Sequence, residues 1–383
     1  MKEGWKYKRL GDIATYINGF AFKPSDWSIE GIPIIRIQNL TGTQLHFNKC
    51  SRKDIPEKYI VRNGDVLISW SATLGVFEWE LGDAYLNQHI FKVVFDKEEI
   101  NKKYFEYAIS ISINLMFQYT NGATMKHIRK GDFDNIRIPI PPLSKQQAIV
   151  SRLDSAFAKI DAVKANAEKQ LNDAKALFQK ELSKAMTPKE GWERKKLGEV
   201  CVISGDYGLS VSSKPFDGVR YIRITDITEY GELNDDKVSA LIDENKKQEK
   251  LKDGDILFAR TGATVGKTLI YNERYGDCLF AGYLIRYRLD KNIILPQFMY
   301  YVTHSSEYYE WVNVNQEAAA QPNISAKKYS LLPISHPPLS EQQAIVSHLD
   351  TLSEKLKAVE KKQEAVVAEC DAMKQALLRE VFE

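Results

Sequence analysis

The sequence predicts an α+β protein with an internal pseudo-two-fold repeat, in which two similar mixed α/β globular domains are joined by two long helices forming an antiparallel coiled coil. Three observations carry this prediction: a duplicated motif, a heptad pattern after each copy of it, and strand and helix patterns before it. The chain of 383 residues is long enough for two domains that each bury a core of their own.

The duplication is clearest at Pro141–Asp154, where PPLSKQQAIVSRLD returns at Pro337–Asp350 as PPLSEQQAIVSHLD with twelve of fourteen positions identical. The opening GWKYKRLGD at Gly4–Asp12 returns as GWERKKLGE at Gly191–Glu199. Because the similarity extends well outside the fourteen-residue block, whole domains were duplicated. The predicted division is a globular domain at residues 1–143, a helix at 144–186, a second globular domain at 187–339 and a second helix at 340–383.

Each helix has a defined start and an apolar seam. Ser144 and Ser340 both follow Pro-Pro-Leu and precede a Gln three residues on, which is a capping-box pattern. In the second helix, apolar residues recur at alternating spacings of four and three from Ile345 to Leu377, as in a left-handed coiled coil. The equivalent seam of the first helix is Ile149, Leu153, Ala156, Ile160, Val163, Ala167, Gln170, Ala174 and Leu177.

The charges of the two helices are complementary. Residues 144–186 hold eight basic and five acidic side chains, whereas residues 340–383 hold six and nine. We therefore expect the helices to pair antiparallel in a rod of about 65 Å, with a globular domain at each end. The alternative is that each helix packs only on its own domain.

The globular domains combine strands with one long helix. Residues rich in β-branched and aromatic side chains predict strands at Ile32–Leu40, Asp65–Ser69, His89–Phe95, Gly254–Ala259 and Leu284–Leu289. Longer apolar faces predict helices at Lys102–Tyr119 and Pro296–Val312. Polar loops follow both helices, at Asn121–Phe133 and Gln316–Tyr329, and serve either binding or simple connection.

Motifs for chemistry are missing from the sequence. The segment Arg260–Thr268 is one residue short of a phosphate-binding loop, and Pro-Pro is followed by Leu143 and Leu339 instead of the aromatic residue of an amino-methyltransferase. The six histidines and four cysteines show no metal-ligand spacing, so no metal site is expected. Reduced thiols, an N-terminus without a signal peptide and no long apolar run predict a cytoplasmic protein outside the membrane.

The order of globular domain and PPLxxQQxxI helix, repeated once, resembles the specificity (S) subunit of Type I restriction-modification systems. The motif GDxLxxxxGATxG at Gly254–Gly266, with a copy one residue shorter at Gly64–Gly75, supports the resemblance, which covers essentially the whole chain. The resemblance implies that the globular domains are target-recognition domains, each reading one half of a split DNA site. It also implies that the helices set the gap between the halves and dock the modification subunits.

The same resemblance implies that this chain is a non-catalytic specificity subunit without a cofactor of its own. Adenine methylation with S-adenosylmethionine, and cleavage with ATP and Mg²⁺, would belong to partner subunits. The implied partners are double-stranded DNA, two DNA methyltransferase subunits and restriction (nuclease and translocase) subunits. The net charge of +2 is small for a nucleic-acid-binding chain, so the partners would supply much of the affinity for phosphate.

The predicted DNA-binding residues fall into three sets. Those at strand ends, suited to base edges, are Arg36, Gln38, Asn39, Arg223, Thr225 and Asp226. Those on the shared turn, suited to phosphate, are Ser69, Ser71, Thr73, Arg260, Thr261, Thr264 and Lys267. Those on the loops after the helices are Lys126, Arg129, Lys130, Gln321, Asn323, Lys327 and Lys328. Pairing of Arg36 and Arg223 inside their own domains is the alternative for these two.

Contact with partner subunits is predicted at the helix starts, for Gln146, Gln147, Ile149, Gln342, Gln343 and Ile345. Two other interpretations of the chain stay open. One is an S-like subunit of a Type II system with a split site, which the neighbouring genes would distinguish. The other is a coiled-coil scaffold that binds proteins and reads no DNA.

Overall fold

The computed structural model of the chain describes residues 4–70, 75–119, 130–242, 249–316 and 322–382, and only the backbone of residues 113–119. The chain forms two compact units. Unit 1 comprises Met1–Ala167 and Ala365–Glu383, and unit 2 comprises Glu168–Glu364. Each unit therefore contains one globular domain, called the first and the second domain below, together with parts of both long helices.

Unit 1 contains ten strands and five helices that begin within its described residues. The strands are β1 (Lys6–Arg9), β2 (Thr15–Asn18), β3 (Ile32–Ile35), β4 (Asn48–Cys50), β5 (Ile60–Val61), β6 (Val66–Ser69), β7 (Gly75–Glu78), β8 (Ala84–Leu86), β9 (Ile90–Val94) and β10 (Arg137–Ile140). The helices are α1 (Leu10–Ile13), α2 (Ile37–Leu40), α3 (Lys102–Tyr119), α4 (Lys130–Asp134) and α5 (Leu143–Met186).

The strands of the first domain form three sheets in the order β2-β9-β6-β7, β4-β3-β8-β5 and β1-β10. All pairs are antiparallel except β3 with β8. Tyr104 and Phe105 of α3 and Phe133 of α4 are fully buried beside β6 and β9 in the main core. These strands are rich in Val, Ile and Phe because one face of the sheet is covered by the helices.

Unit 2 repeats this plan with ten further strands and four helices among its described residues. The strands are β11 (Glu193–Lys196), β12 (Cys201–Tyr207), β13 (Ser213–Pro215), β14 (Arg220–Ile222), β15 (Val238–Ala240), β16 (Asp255–Ala259), β17 (Thr268–Ile270), β18 (Cys278–Phe280), β19 (Leu284–Leu289) and β20 (Pro333–His336). The helices are α6 (Pro296–Val302), α7 (Ser306–Asn315), α8 (Ala326–Tyr329) and α9 (Leu339–Phe382).

The sheets of the second domain match those of the first. The antiparallel sheet β12-β19-β16-β17 corresponds to β2-β9-β6-β7, the parallel pair β14-β18 corresponds to β3-β8, and β11-β20 corresponds to β1-β10. The second domain also contains the antiparallel strand pair β13-β15. The two domains thus share one mixed α/β fold, which confirms the internal repeat and the fold class.

The largest differences from the predicted elements occur where polar side chains bond to the backbone. The strand predicted at Ile32–Leu40 ends at Ile35, because the Asn39 side chain accepts a hydrogen bond from the Arg36 N–H at 3.0 Å and starts a helical turn. The helix predicted at Pro296–Val312 is two helices, since Ser305 caps α7 by accepting from the Tyr308 N–H at 3.3 Å. In contrast, α3 has the predicted bounds.

The long helices α5 and α9 pair antiparallel within each unit. In unit 1, Arg152 binds Glu380 at 2.7 Å and Asp161 binds Lys374 at 2.5 Å, and in unit 2 Lys175 binds Glu360 at 3.1 Å. The residue number on α9 falls as the residue number on α5 rises, as antiparallel packing requires. Two of these three pairs join a basic residue of α5 to an acid of α9, which agrees with the predicted charge complementarity.

The predicted seam of α5 is wrong at three of its nine positions, Val163, Gln170 and Leu177. Val163 and Leu177 are 52% and 60% exposed, and Gln170 is exposed as well. Their neighbours Leu171 and Phe178 are half-buried instead. The larger apolar side chains of the adjacent column enter the contact there. The heptad period is therefore right, but from Val163 onward one of the two seam columns is displaced by one residue.

Both long helices also pack on the globular domains. In unit 1, Leu153 of α5 and Phe382 of α9 join the main core. In unit 2, Met186 of α5 and Leu349 of α9 do the same. Helix pairing and packing on the domain therefore occur together. Across the described ranges, none of the helices has the length and apolar character that crossing a membrane demands.

Candidate nucleic-acid interface

Three strand ends meet in the second domain at a cavity of about 890 Å³. Arg223 follows β14, Arg260 follows β16, and Tyr283 lies between β18 and β19. The backbone joins these ends, because Ala281 N donates to Ile222 O at 2.9 Å and Arg260 N donates to Tyr283 O at 3.0 Å. The cavity is lined by Arg223, Thr225, Arg260 and Tyr283, which we call the strand-end site of the second domain.

Arg223 is paired inside its own domain. Its Nη2 donates to Asp226 Oδ1 at 2.7 Å and to Asp236 Oδ2 at 2.6 Å, and its backbone N–H donates to Asp226 Oδ2 at 2.8 Å. The hydrogen bond to Asp226, followed by that to Asp236, raises the pKa of Arg223. The geometry matches the alternative of internal pairing, so most of the positive charge of Arg223 is already neutralised.

Asp226 is only 1% exposed, and both of its carboxylate oxygens accept hydrogen bonds from Arg223. A buried, saturated carboxylate offers no acceptor to a cytosine amino group. Its burial corrects the predicted base contact of Asp226, which holds the turn after β14. Thr225, beside it, is exposed at the rim of the cavity.

Arg260 is held in one orientation. Its Nε donates to Asn323 Oδ1 at 3.1 Å, and its guanidinium carbon lies 4.9 Å from the centre of the Tyr207 ring. The segment that carries Asn323 is fixed as well, since Ile324 N donates to Arg260 O at 2.9 Å. Among the described residues no carboxylate forms an ion pair with Arg260, so its charge remains available to a ligand.

The first domain has an equivalent strand-end site, consisting of Arg36, Gln38, Trp70 and His89. Asn87 N donates to Ile35 O at 3.3 Å and Trp70 N donates to His89 O at 3.2 Å, which repeats the backbone pattern of the second domain. Arg36 donates from Nη2 to Gln44 Oε1 at 2.6 Å and lies 5.9 Å from the ring centre of Trp27. Gln38 is exposed beside it.

Trp70 occupies the position that Arg260 holds in the other domain. Its ring stacks on Phe91 at a centroid distance of 5.6 Å and contacts the His89 ring at 5.0 Å. The sequence-based set contained none of Trp70, His89, Tyr207 and Tyr283. Aligning GDVLISW with GDILFAR would have placed Trp70 opposite Arg260, whereas the loop residues His89 and Tyr283 become neighbours only through sheet pairing.

The other predicted DNA-binding residues are more scattered. Ser69 is 0% exposed at the end of β6, so its burial corrects the predicted contact of Ser69 with phosphate. Lys130 is exposed but bound to Asp134 at 2.9 Å, and Asn39 is bound to Gln44 O and His46 O. The half-exposed or exposed remainder of the described set is Thr261, Thr264, Lys267, Asn323, Lys327 and Lys328. Outside the described residues lie Ser71, Thr73, Lys126, Arg129 and Gln321.

At the helix starts, two of the residues predicted to contact partner subunits are buried. Gln146 and Gln342 are 1% and 0% exposed. Gln342 accepts from Leu295 N and donates to Ile293 O and Pro337 O, all at 2.9 Å. Gln146 accepts from Asn101 N at 2.9 Å and donates to Pro141 O at 2.8 Å. Both glutamines therefore fasten a long helix to its domain, which corrects their predicted interface role.

The neighbouring positions differ from these glutamines. Gln147 and Gln343 are exposed, so a contact with a partner subunit remains a prediction for them. Ile149 and Ile345 are half-buried and pack against the core of their own domain.

A second repeated contact joins each domain to α5 or α9. Tyr107 of α3 donates its hydroxyl to the Asp154 carboxylate of α5, and Tyr301 of α6 donates to Asp350 Oδ1 of α9 at 2.5 Å. Burial, followed by the hydrogen bond to Asp350, raises the pKa of Tyr301, so the hydroxyl keeps its proton. Each domain is thus held to a long helix at two successive points.

The described ranges contain no cluster of three or more His, Cys, Asp or Glu side chains that could hold a metal ion. The chemistry that the strand-end sites offer is hydrogen bonding and stacking. A fixed arginine, exposed amide and hydroxyl groups, and aromatic rings are the groups that proteins use to contact base edges and nucleic-acid backbones.

Comparisons with known proteins agree with this arrangement. Residues 2–173 and 189–368 each match the family described as "Type I restriction modification DNA specificity domain". The chain is 25% identical to the Type I restriction enzyme EcoBI specificity subunit of Escherichia coli, over 99% of this chain and 86% of the relative. It is 26% identical to the MjaVIII specificity subunit of Methanocaldococcus jannaschii, over 95% of this chain and 89% of the relative.

Two solved structures share the fold. One, from work on the assembly and conformational transition of the type I R-M system, has a TM-score of 0.74 at 20% identity and covers 99% of this chain and 97% of that one. The other is the HsdS subunit from Thermoanaerobacter tengcongensis, with a TM-score of 0.51 at 21% identity and coverage of 100% and 97%. With two copies of the family's domain across most of its length, the chain belongs to the Type I restriction-modification DNA specificity family.

Proposed function

We propose that this chain gives a Type I restriction-modification complex its DNA sequence specificity, with each domain reading one half of a two-part site in double-stranded DNA. The observation that carries the proposal is the pair of strand-end sites. They are built on the same strand ends and the same backbone hydrogen bonds, yet they display different side chains. Such a pair suits a site whose two halves differ in sequence.

The helices α5 and α9 set the number of unread base pairs between the two halves. A spacer can do this only if each domain is fixed to it. The buried glutamines and the Tyr107–Asp154 and Tyr301–Asp350 hydrogen bonds supply such fixation. Lengthening both helices by the same number of turns should therefore widen the gap and leave the two half-sites unchanged.

The chemistry belongs to other subunits in this proposal. Two DNA methyltransferase subunits, docked near the helix starts where Gln147 and Gln343 are exposed, would bind S-adenosylmethionine and methylate adenine. Restriction subunits would use ATP and Mg²⁺ to translocate and cleave DNA. The target base would be flipped into the pocket of a methyltransferase subunit. The complex would act in the cytoplasm, where its DNA substrate lies.

The charge of the chain supports this division of labour. With a net charge of +2 and with Arg223 paired internally, the chain offers little net positive charge to the phosphate backbone. Binding of DNA by the isolated chain should therefore be weak.

The test is to express the chain with the methyltransferase gene beside it in a host that lacks both, and to map methylated adenines by single-molecule sequencing. We expect a two-part motif that disappears when the chain is omitted. A soluble complex that adds no methylation, or the same methylation with and without the chain, would contradict the proposal.

A further inference from the structure

We infer that Arg260 reads a guanine in the half-site of the second domain, and that the first domain, which has Trp70 at the equivalent position, lacks this contact. The inference rests on the proposed function, since it assumes that the strand-end sites face bases. It goes further by assigning one base to one side chain. It also changes the role of Arg260, which the sequence alone placed among the phosphate contacts.

The first step is the equivalence of Arg260 and Trp70. Each directly follows the strand of the Gly-Asp motif, which is β16 in the second domain and β6 in the first. Both donate a backbone hydrogen bond to the loop that precedes the next long strand, Arg260 to Tyr283 O and Trp70 to His89 O. The two side chains therefore leave the same point of the shared fold.

The second step is the geometry of the Arg260 guanidinium. Asn323 Oδ1 accepts from its Nε at 3.1 Å, and the Tyr207 ring lies 4.9 Å from its central carbon. These contacts fix the plane of the guanidinium and leave Nη1 and Nη2 to a ligand. Two parallel N–H donors match the O6 and N7 acceptors of guanine in the major groove. Because the orientation is fixed beforehand, less side-chain entropy is lost on binding.

The third step separates a base contact from a phosphate contact. Phosphate is the same in both half-sites, so a residue that only positions the backbone should be basic in both domains. Arg260 does not meet this condition, because the equivalent residue of the first domain is the uncharged Trp70. A position that differs while the surrounding backbone stays the same is suited to reading sequence.

The neighbouring loop supports this assignment. Gln88 and His89 of the first domain correspond to Gly282 and Tyr283 of the second, so the side chains next to Trp70 and Arg260 differ too. Tyr283 is 62% exposed at the cavity that Arg260 lines. By contrast, glycine stands at both equivalent positions 19 and 208, because a Cβ there would lie 2.0 Å from Asn87 O and 2.2 Å from Ala281 O, respectively. The residue type is therefore the same in both domains where the backbones are in tight contact, and it differs at the cavity.

The test uses the complex of this chain with its methyltransferase subunits and duplexes that carry its mapped site. Each guanine of the second half-site is replaced in turn by 7-deazaguanine, which lacks the N7 acceptor. We expect one replacement to weaken wild-type binding about 10-fold or more, as loss of a specific base contact should. In the Arg260→Ala complex the same replacement should have no effect, because the donor is already missing.

Arg260→Lys is the variant that separates the two roles. Lysine keeps the charge but lacks the planar pair of donors, so it would preserve a phosphate contact and lose most of the guanine preference. We expect methylation mapping with Arg260→Lys to show one relaxed position in the second half of the motif and an unchanged first half. Lys291→Ala, which removes an exposed cation of the same domain away from the strand-end site, should leave both halves unchanged.

Several results would overturn the inference while leaving the proposed function intact. They are a second half-site without guanine, wild-type binding that no 7-deazaguanine weakens, an Arg260→Lys motif identical to the wild type, or a relaxed position in the first half. If Arg260→Ala fails to fold, the wild-type scan and the lysine variant still decide. Absence of any two-part motif with the wild-type chain would instead contradict the proposed function.

Discussion

The first and second domains have the same fold but stabilise their strand-end sites differently. In the first, the turn after β3 is closed by a neutral side chain, Asn39, which accepts from Arg36 N at 3.0 Å. In the second, the equivalent turn is closed by the buried carboxylate of Asp226, paired with Arg223. The same fold can thus have a neutral or a charged side chain that closes the turn. It can also have Trp70 or Arg260 after the equivalent strand, without a change in strand order.

This difference indicates which parts of the protein carry the fold and which carry specificity. Backbone hydrogen bonds, tight glycines and the contacts with the long helices recur in both domains. At the cavity Arg223 recurs as Arg36, whereas Thr225, Arg260 and Tyr283 are replaced by Gln38, Trp70 and His89. Substitutions at repeated contacts should therefore affect stability, whereas substitutions at the cavity should affect the recognised sequence.

The largest effect on stability is expected for Arg223→Ala. The variant leaves the Asp226 carboxylate buried without its cation, and removing one partner of a buried ion pair costs about 3 kcal/mol of unfolding free energy. Arg36→Ala is the matched variant in the first domain. It removes the hydrogen bond to Gln44 and leaves no carboxylate buried without its cation, so it should cost about 1 kcal/mol. Urea unfolding followed by circular dichroism measures both, and equal losses would contradict the difference between the two closures.

A smaller effect is expected for the buried glutamines. Gln342→Ala removes three hydrogen bonds and leaves buried backbone groups of Leu295, Ile293 and Pro337 unpaired, at a cost of about 2 kcal/mol. Gln146→Ala removes two such bonds and should cost less. The control is Gln343→Ala, an exposed neighbour, which should change the unfolding free energy by less than about 0.5 kcal/mol. A loss for Gln343→Ala as large as for Gln342→Ala would refute the buried role.

The smallest of these effects is expected at the tyrosine contacts with the long helices. Tyr301→Phe removes the hydroxyl that donates to Asp350, and loss of a hydrogen bond to a charged group costs about 1.5 kcal/mol. Tyr107→Phe should cost less, because the Tyr107 side chain is only half-buried and water can replace it. The measurement is again urea unfolding. The reverse order of the two losses would show that burial does not govern this contact.

Much of the architecture could be predicted from the sequence because it depends on periodicity. The duplicated PPLSxQQAIVSxLD motif, the heptads and the apolar run of α3 each specify a repeat or a helix over many residues. Predictions failed where one polar side chain decides the local structure. Asn39 ends a strand early and Ser305 divides a helix, and such hydrogen bonds leave little trace in hydrophobic pattern.

The site was harder to predict than the fold. Arg223 and Thr225 were predicted at strand ends and Arg260 on the shared turn, and the three residues meet at one cavity. Burial of Asp226, Gln146 and Gln342 could not be anticipated, because charged and amide side chains are usually exposed. Tyr207 and Tyr283 were missed because strand pairing brings them to the cavity from distant parts of the sequence.

The most direct test of the central claim, that each domain reads its own half-site, uses the chain's internal repeat. Residues 188–336 replace residues 1–140, so that the second domain occupies both positions ahead of unchanged long helices. The chain is then expressed with the methyltransferase, and methylated adenines are mapped. We predict an inverted repeat in which both halves carry the second domain's sequence with the original gap. Retention of the original two different halves would contradict the claim.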